Sequence, residues 1–242
     1  WGDIRHCLSK LSETSSTKSL MFEYRFEQAG DLSGHSLGNL MCCAVDSLCI
    51  RPTDSVKVMS QFLDINASIL PMSDQVTNLV AYHDDANKLF GELAVDAGAN
   101  KGLSSTSLEP EAATTPEVVQ AIEATDILLI GPGSFYTSIV PNFLTTGLVE
   151  MINKNTHIKV FFISNVQSEF AFNDNELKHQ LDFLKSLGLK QTITAIVSNN
   201  RSQQFTEVNT PIIEADIAAD EYGRHDAKAL KQFFVEFLPG YT

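Results

Sequence analysis

The chain has 242 residues, 43% of them hydrophobic, which is enough apolar material for one large α/β domain or two small ones. Its formal net charge is −13 and only 17 residues are Lys or Arg, so it lacks the basic face that a binder of nucleic-acid backbones needs. We therefore expect no nucleic-acid partner, whereas backbone amides and one or two arginines are sufficient for a small phosphorylated ligand.

The cysteines and the apolar runs indicate a reduced protein without a membrane span. Cys42 and Cys43 are adjacent within an apolar helical pattern and no Cys-x-x-Cys pair occurs, so we interpret them as reduced core thiols and expect no zinc site. No signal-peptide pattern is present and no apolar run is long enough to cross a bilayer, which predicts a cytoplasmic location. Because Trp1 is not an initiator Met, we expect the natural chain to begin earlier.

The first part of the chain is predicted to be helical. Apolar spacing predicts three helices, over Ile4 to Leu11, Gly34 to Leu48 and the stretch that starts at Arg51. Asp3 stands where the N-cap of the first helix is expected. Gly34 and Gly38 are unfavourable in the second, since glycine inside a helix costs roughly 1 kcal/mol relative to alanine. Their presence indicates that a neighbouring element or a ligand approaches this backbone closely.

An antiparallel β insertion is predicted from residue 68 to residue 95. Two strand-like runs, Asn78 to Tyr82 and Lys88 to Val95, flank a polar loop, which is the pattern of a hairpin. Asp84 and Asp85 in that loop are interpreted as turn residues rather than metal ligands. From residue 96 to residue 114 the composition turns to small and polar residues, which predicts a mobile connection.

The second half of the chain alternates strands with helices. Strands are predicted at Ile127 to Ile130, Lys159 to Ser164, Thr192 to Val197 and Ile212 to Ile217, and a last helix from Ala227 to Leu238. The alternation of the first three strands with helices predicts right-handed βαβ crossovers and a mostly parallel sheet. We therefore expect a single α/β domain over residues 1–242, with the hairpin as an insertion.

The turn after the first of these strands is the strongest candidate site. A buried apolar run ends at Gly131-Pro132-Gly133, and hydroxyl residues follow at once: Ser134, Thr137 and Ser138. Backbone amides at such a turn suit a phosphate, but the turn has neither a Walker lysine nor the last glycine of the dinucleotide pattern. A tight turn without a ligand is therefore an equally good interpretation. Asn165 and residues 198–201 follow neighbouring strands and should meet the turn at the carboxyl edge of the sheet.

Five stretches, in chain order, resemble the bacterial gluconeogenesis factor family within the CofD-like superfamily: residues 1–8, 21–26, 32–40, 131–138 and 224–226. The resemblance implies a Rossmann-like three-layer fold with its site at the carboxyl edge of the sheet. The namesake of the superfamily, 2-phospho-L-lactate transferase, moves a phosphoryl-lactyl group with the help of a divalent metal. The gluconeogenesis factor branch is expected to bind UDP-sugars and to support cell-wall synthesis and cell shape on gluconeogenic carbon sources.

The resemblance also implies a set of ligand-binding residues. On the turn it implies contacts to a nucleotide diphosphate from Gly131, Gly133, Ser134, Tyr136, Thr137, Ser138 and Asn142. Around the same cleft it implies Asp3, Arg5, Gly34, His35, Gly38, Asn39, Asn165, Arg224 and His225. Arg224 is the candidate for charge pairing, because a guanidinium can bind a phosphate in bidentate fashion. The glycine-rich first turn of the family is expected upstream of Trp1, and His6 stands where the family has asparagine.

Three functions stay open at this point. A nucleotide-sugar-binding regulator without turnover is favoured, since the motifs contain no evident constellation of acid, base and nucleophile. The second is a transferase of a phosphorylated small molecule that uses Mg²⁺, because phosphoryl chemistry needs mostly positioning and charge neutralisation. The third is a scaffold for a protein partner, in which the glycines serve packing only. The sequence leaves the catalytic residues unknown and a homo-oligomer open.

Overall fold

The computed structural model describes residues 1–13, 16–27, 30–85, 87–100, 102–169, 175–199, 208–219 and 223–240. The chain divides into two compact units, Trp1–Asp74 and Gln75–Thr242, and each is described by itself. The single domain expected from the sequence stays a prediction.

The first unit is helical over its described residues. Its elements are α1 (Gly2–Leu11), α2 (Thr17–Glu23), a 3₁₀ turn (Gly30–Leu32), α3 (Leu37–Leu48) and α4 (Pro52–Phe62). Their apolar faces share a core of Leu8, Phe22, Cys42, Met59 and Leu63. The three predicted helices are confirmed as α1, α3 and α4, but α3 begins at Leu37 and not at Gly34, which adopts a φ of +82° before the Ser36 cap.

Two details of this unit correct the sequence interpretation. The N-cap of α1 is Trp1, and Asp3 lies within the first turn, so the prediction of Asp3 as the cap is wrong. Of the two adjacent thiols only Cys42 belongs to the core, where burial raises its pKa to about 11, whereas Cys43 is exposed. Neighbouring residues on a helix point in different directions, so one amphipathic face does not bury both.

The second unit begins with a three-stranded antiparallel sheet in the order β2-β1-β3: β1 (Asn78–Tyr82), β2 (Lys88–Phe90) and β3 (Ser105–Glu109). The predicted hairpin is confirmed by the antiparallel pairing of β1 with β2. The second strand is shorter than predicted, because Gly91 adopts a φ of +83° and α5 (Glu92–Ala99) begins directly after it. Asp85 is a turn residue as expected, since its Oδ1 accepts from the Asn87 N–H at 3.0 Å.

A four-stranded parallel sheet follows in the order β4 (Ile127–Ile130), β5 (Lys159–Ile163), β6 (Ile193–Asn199) and β7 (Ile212–Ala215). Its helices are α6 (Pro116–Glu123), α7 (Val140–Phe143), α8 (Leu148–Lys154), α9 (Glu176–Ser186) and α10 (Ala227–Phe237). The predicted α/β class with a parallel sheet and an antiparallel hairpin is thus confirmed. The helical connection predicted between β4 and β5 is divided into α7 and α8, and α8 begins directly after Gly147, which adopts a φ of +100°. Among the described residues, no helix has both the length and the apolar character needed to cross a membrane.

Candidate functional site

The turn after β4 is tightly packed against the neighbouring strand. Gly131 adopts a φ of +84°, a conformation that side chains disfavour. A Cβ atom on Gly131 would lie 2.9 Å from the carbonyl oxygen of Ile163, the last residue of β5. The sequence therefore needs glycine here for backbone reasons alone.

The chain leaves this turn in a π-helical turn, Phe135–Ile139, that is anchored in the core. The Ser134 carbonyl accepts from the N–H groups of Ser138 (2.8 Å) and Ile139 (3.1 Å). Tyr136 is only 1% exposed, and its hydroxyl lies 2.6 Å from His179 Nε2 on α9. Burial raises the pKa of Tyr136 to about 12 and lowers the pKa of His179. Tyr136, predicted as a nucleotide contact, is thus placed in the core beneath the turn.

Asn165 holds the turn from the loop after β5. Its Oδ1 accepts from the Gly133 N–H at 3.2 Å, and its Nδ2 donates to the Gly133 carbonyl at 3.0 Å. The prediction that Asn165 and the turn meet at the carboxyl edge is borne out by these two contacts. Asn142, at the far end of the turn, donates to the carbonyls of Ser138 (2.7 Å) and Ile139 (3.2 Å) and so stabilises the π-helical turn.

Two carboxylates that the sequence interpretation missed accept from three further donors of the turn. Glu169 Oε2 accepts from the Phe135 N–H at 2.9 Å, and its Oε1 accepts from Asn165 Nδ2 at 2.6 Å. Asp96, on α5, accepts with one oxygen from the hydroxyls of Thr137 (2.8 Å) and Ser134 (3.4 Å). The backbone amide and hydroxyl donors suited to a phosphate therefore contact side-chain oxygens of the chain itself.

The electrostatic setting of Glu169 is unfavourable for its charged form. Burial is the main cause that raises the pKa of Glu169 from its ordinary value of 4.5 to about 6, and Glu176 and Asp96 act in the same direction. The Phe135 N–H and Asn165 oppose this shift. Glu176, at the start of α9, accepts from the Glu169 N–H at 3.2 Å and also from Ser168 and Gln180.

This pKa predicts how the stability of the protein depends on pH. A folded-state pKa above the unfolded value means that the folded chain binds the proton more tightly, so this contribution is present below pH 4.5 and is lost as the pH rises through about 6. The full shift corresponds to about 2 kcal/mol, which partial exposure reduces to roughly 1 kcal/mol. We expect the unfolding free energy of wild type minus that of Glu169→Gln to fall by this amount between pH 4.5 and 6.5 in urea titrations. A pH-independent difference would contradict the assignment.

The Arg-His-Asp stretch lies at the same edge of the sheet. Gly223 is packed against the side chain of Gln167, which belongs to the loop after β5. Arg224 is exposed, and Asp226 caps α10 by accepting from the N–H groups of Lys228 and Ala229. Neither ring nitrogen of His225 makes a hydrogen bond of normal geometry within the described residues. Burial lowers the pKa of His225, against the opposing effect of two carbonyl groups. Asn200 and Arg201 lie outside the described residues.

Three of the predicted site residues of the first unit, Arg5, Gly34 and Gly38, have partners within that unit. Arg5 is 8% exposed and pairs with Glu23 at 2.6 Å. The Gly34 carbonyl accepts from Arg25 at 3.0 Å, and Gly38 is packed directly against Phe22.

For three further predicted residues of this unit, no side-chain hydrogen bond to the described part of the chain defines a role. Asp3 and His35 are exposed. Asn39 donates its N–H to the Ser36 cap, while its buried Oδ1 has no hydrogen-bond partner among the described residues. Their contacts to a ligand stay a prediction, as do those of the turn.

The described residues do not fit a Mg²⁺ site at the turn. Among them, no group of three or more His, Cys, Asp or Glu side chains is arranged to hold a metal ion. Asp96, Glu169 and Glu176 accept from separate donors: the turn hydroxyls, the Phe135 amide and the Glu169 amide. No chemical step through a metal follows from these residues.

Fold and site together define an α/β protein with a glycine turn at the carboxyl edge of a parallel sheet, held by carboxylates and an asparagine. The family model of 2-phospho-L-lactate transferase CofD matches residues 1–238. The chain therefore belongs to the CofD family, and the resemblance found in its sequence is confirmed.

The similar proteins agree with this membership. The chain is 35% identical over 240 residues to a Vibrio cholerae protein, covering 98% of this chain and 80% of that protein. It is 29% identical over 265 residues to a protein of Listeria monocytogenes, covering 100% of this chain and 81% of that protein. The names of both relatives include the term gluconeogenesis factor.

The fold is shared with two solved structures from Bacillus halodurans. One, a member of the UPF0052 family, has a TM-score of 0.83 at 24% identity and covers 96% of this chain and 82% of its own. The other has a TM-score of 0.84 at 25% identity and covers 97% of this chain and 83% of its own.

Proposed function

We propose that the protein is a gluconeogenesis factor that binds a nucleotide-sugar, a UDP-sugar, and supports cell-wall synthesis and cell shape during growth on gluconeogenic carbon sources. The observation that carries the proposal is the donor set of the turn. The N–H groups of Gly133 and Phe135 and the hydroxyls of Ser134 and Thr137 already bind oxygen acceptors. Phosphate oxygens take the same kinds of donor.

Further support comes from the surroundings of the turn. Arg224 is exposed at the same edge of the sheet, where its guanidinium can pair with a phosphate. The relatives named as gluconeogenesis factors match nearly the whole chain, which favours a shared role.

Titration calorimetry of the full-length protein with UDP-N-acetylglucosamine tests this proposal. We expect saturable binding that weakens at least about tenfold in Arg224→Ala, since a charge-assisted hydrogen bond contributes about 1.5–3 kcal/mol. Lys154→Ala, on the exposed side of α8, is the matched control and should bind like wild type. Absence of any heat of binding at millimolar ligand concentration would contradict the proposal.

A second candidate is a transferase of a phosphorylated small molecule, and the family description favours it, since the matching model is that of 2-phospho-L-lactate transferase. Such an enzyme would release a nucleotide monophosphate from a dinucleotide carrier or a sugar nucleotide. The regulator is excluded if this release occurs with the full-length protein and requires both Mg²⁺ and an acceptor alcohol.

A further inference from the structure

We propose that Glu169 occupies the turn in the ligand-free protein as an internal substitute for the ligand, and that a phosphate-bearing ligand binds by displacing the Glu169 carboxylate from the Phe135 amide. The inference rests on the proposed function, because it concerns the regulation of the same turn.

The hydrogen bonds make the two occupants mutually exclusive. Glu169 uses both carboxylate oxygens, one on the Phe135 N–H at 2.9 Å and one on Asn165 Nδ2 at 2.6 Å. An amide N–H offers one proton, so a phosphate oxygen cannot bind well to Phe135 while Glu169 Oε2 holds it. The ligand must therefore replace this carboxylate or lose the amide as a partner.

Charge excludes a ligand that binds beside Glu169. Asp96 accepts hydrogen bonds from the turn hydroxyls of Ser134 and Thr137, and Glu176 accepts from the Glu169 amide. A diphosphate placed beside these three carboxylates is repelled by three like charges, and the repulsion is strongest next to the part-buried Glu169, where screening is weakest. Moving Glu169 into water removes the nearest of these charges.

Glu169 is held loosely enough to leave. Burial and the charges of Glu176 and Asp96 raise its pKa to about 6, so the ionised side chain is better solvated outside the turn. These two carboxylates are the charged groups that act on Glu169 from α9 and α5.

The turn also keeps supports that do not depend on Glu169. Asn165 still binds both the N–H and the carbonyl of Gly133, and Tyr136 is still anchored to His179. Release of Glu169 therefore exposes donors without dismantling the turn.

Calorimetry with UDP-N-acetylglucosamine tests the displacement. At pH 7.5 we expect Glu169→Ala to bind about tenfold tighter than wild type or better, because the competing charge-assisted bond is absent. Glu150→Gln, an exposed carboxylate on α8, removes the same charge away from the turn and should leave the affinity unchanged.

The number of protons released when the ligand binds is a second measurement of the displacement. It is made on wild type, so it does not depend on whether Glu169→Ala is stable. Both phosphates of the ligand are diesters and do not ionise near neutral pH. Displacement moves Glu169 into water, where its pKa returns to the ordinary value. Wild type should therefore release about half a proton per ligand bound at pH 6. Calorimetry in two buffers of different ionisation heat measures this release. The Glu169→Gln variant should release none.

The possible outcomes distinguish failure of the displacement of Glu169 from failure of nucleotide-sugar binding itself. Saturable wild-type binding that Glu169→Ala does not tighten, or proton uptake instead of release, overturns the displacement and leaves nucleotide-sugar binding intact. Absence of binding in wild type and in both Glu169 variants overturns the proposed function and the displacement with it.

Discussion

Replacement of Gly131 by alanine is expected to lower the free energy of unfolding by about 3 kcal/mol and to abolish binding of UDP-N-acetylglucosamine. Two effects add at this position. The φ of +84° costs a residue with a Cβ about 1–2 kcal/mol, and the new methyl group lies 2.9 Å from the Ile163 carbonyl oxygen. The Ile163 carbonyl oxygen belongs to the backbone, so the clash with the new methyl group is relieved only if β4 and β5 separate at the edge that carries the turn.

Gly147→Ala is the matched control for this substitution. Gly147 has a φ of +100°, but no atom of the described residues lies within 4 Å of the position a Cβ would take, so its replacement measures the backbone cost alone. We expect a loss of about 1 kcal/mol for Gly147→Ala, because restriction of the unfolded chain offsets part of the strain. Urea unfolding followed by far-UV circular dichroism gives both values. Equal losses would contradict a tight contact between the turn and β5.

Local sequence patterns predicted the sheet of the second unit well. The apolar run Lys159–Ile163 is readable because β5 pairs with a strand on each side and is buried on both faces. The run Ile127–Ile130 also forms a strand, but β4 stands at the end of the strand order and Leu129 is exposed, so the burial of β4 on both faces that we expected is wrong. The hairpin was also predicted, but residues 92–95, which were expected to belong to its second strand, form the first part of α5. A short apolar run has no period that separates strand from helix, and here the backbone conformation of Gly91 ends the strand.

The candidate site was predicted only in part, and the reason lies in tertiary contacts. The turn and Asn165 were found because each follows a strand, and the carboxyl ends of parallel strands meet at one edge. The same reasoning extends to Glu169, four residues after Asn165, and would have found it. Asp96 gives no such signal, since it lies on α5, after the hairpin, and follows no strand of the parallel sheet. Its contact with Thr137 depends on how that helix packs.

Gly38→Ala is the second substitution with a large expected effect. It tests whether a neighbouring element or a ligand requires glycine at this position, which the sequence left open. Alanine is the better helix former by about 1 kcal/mol, so propensity alone predicts a more stable α3. A Cβ at Gly38, however, would lie 2.6 Å from the Phe22 carbonyl oxygen and 2.9 Å from the Phe22 ring. We therefore expect the free energy of unfolding to fall by about 2 kcal/mol, since overpacking against backbone forces α2 away from α3.

The fluorescence of Trp1 reports this loss specifically. Trp1 is the single tryptophan of the chain, it packs against the core of the first unit, and its indole N–H donates to Asp46 at 3.2 Å. Gly2→Ala is the control and should not destabilise the unit, because a Cβ at this helical position would have no neighbour within 4 Å in the part of the chain that the structure describes. If Gly38→Ala keeps the midpoint of urea unfolding but loses nucleotide-sugar binding, a ligand and not Phe22 requires the glycine. If Gly38→Ala lowers the midpoint of urea unfolding and the folded variant still binds the nucleotide-sugar, Gly38 is required for the packing of α3 on α2.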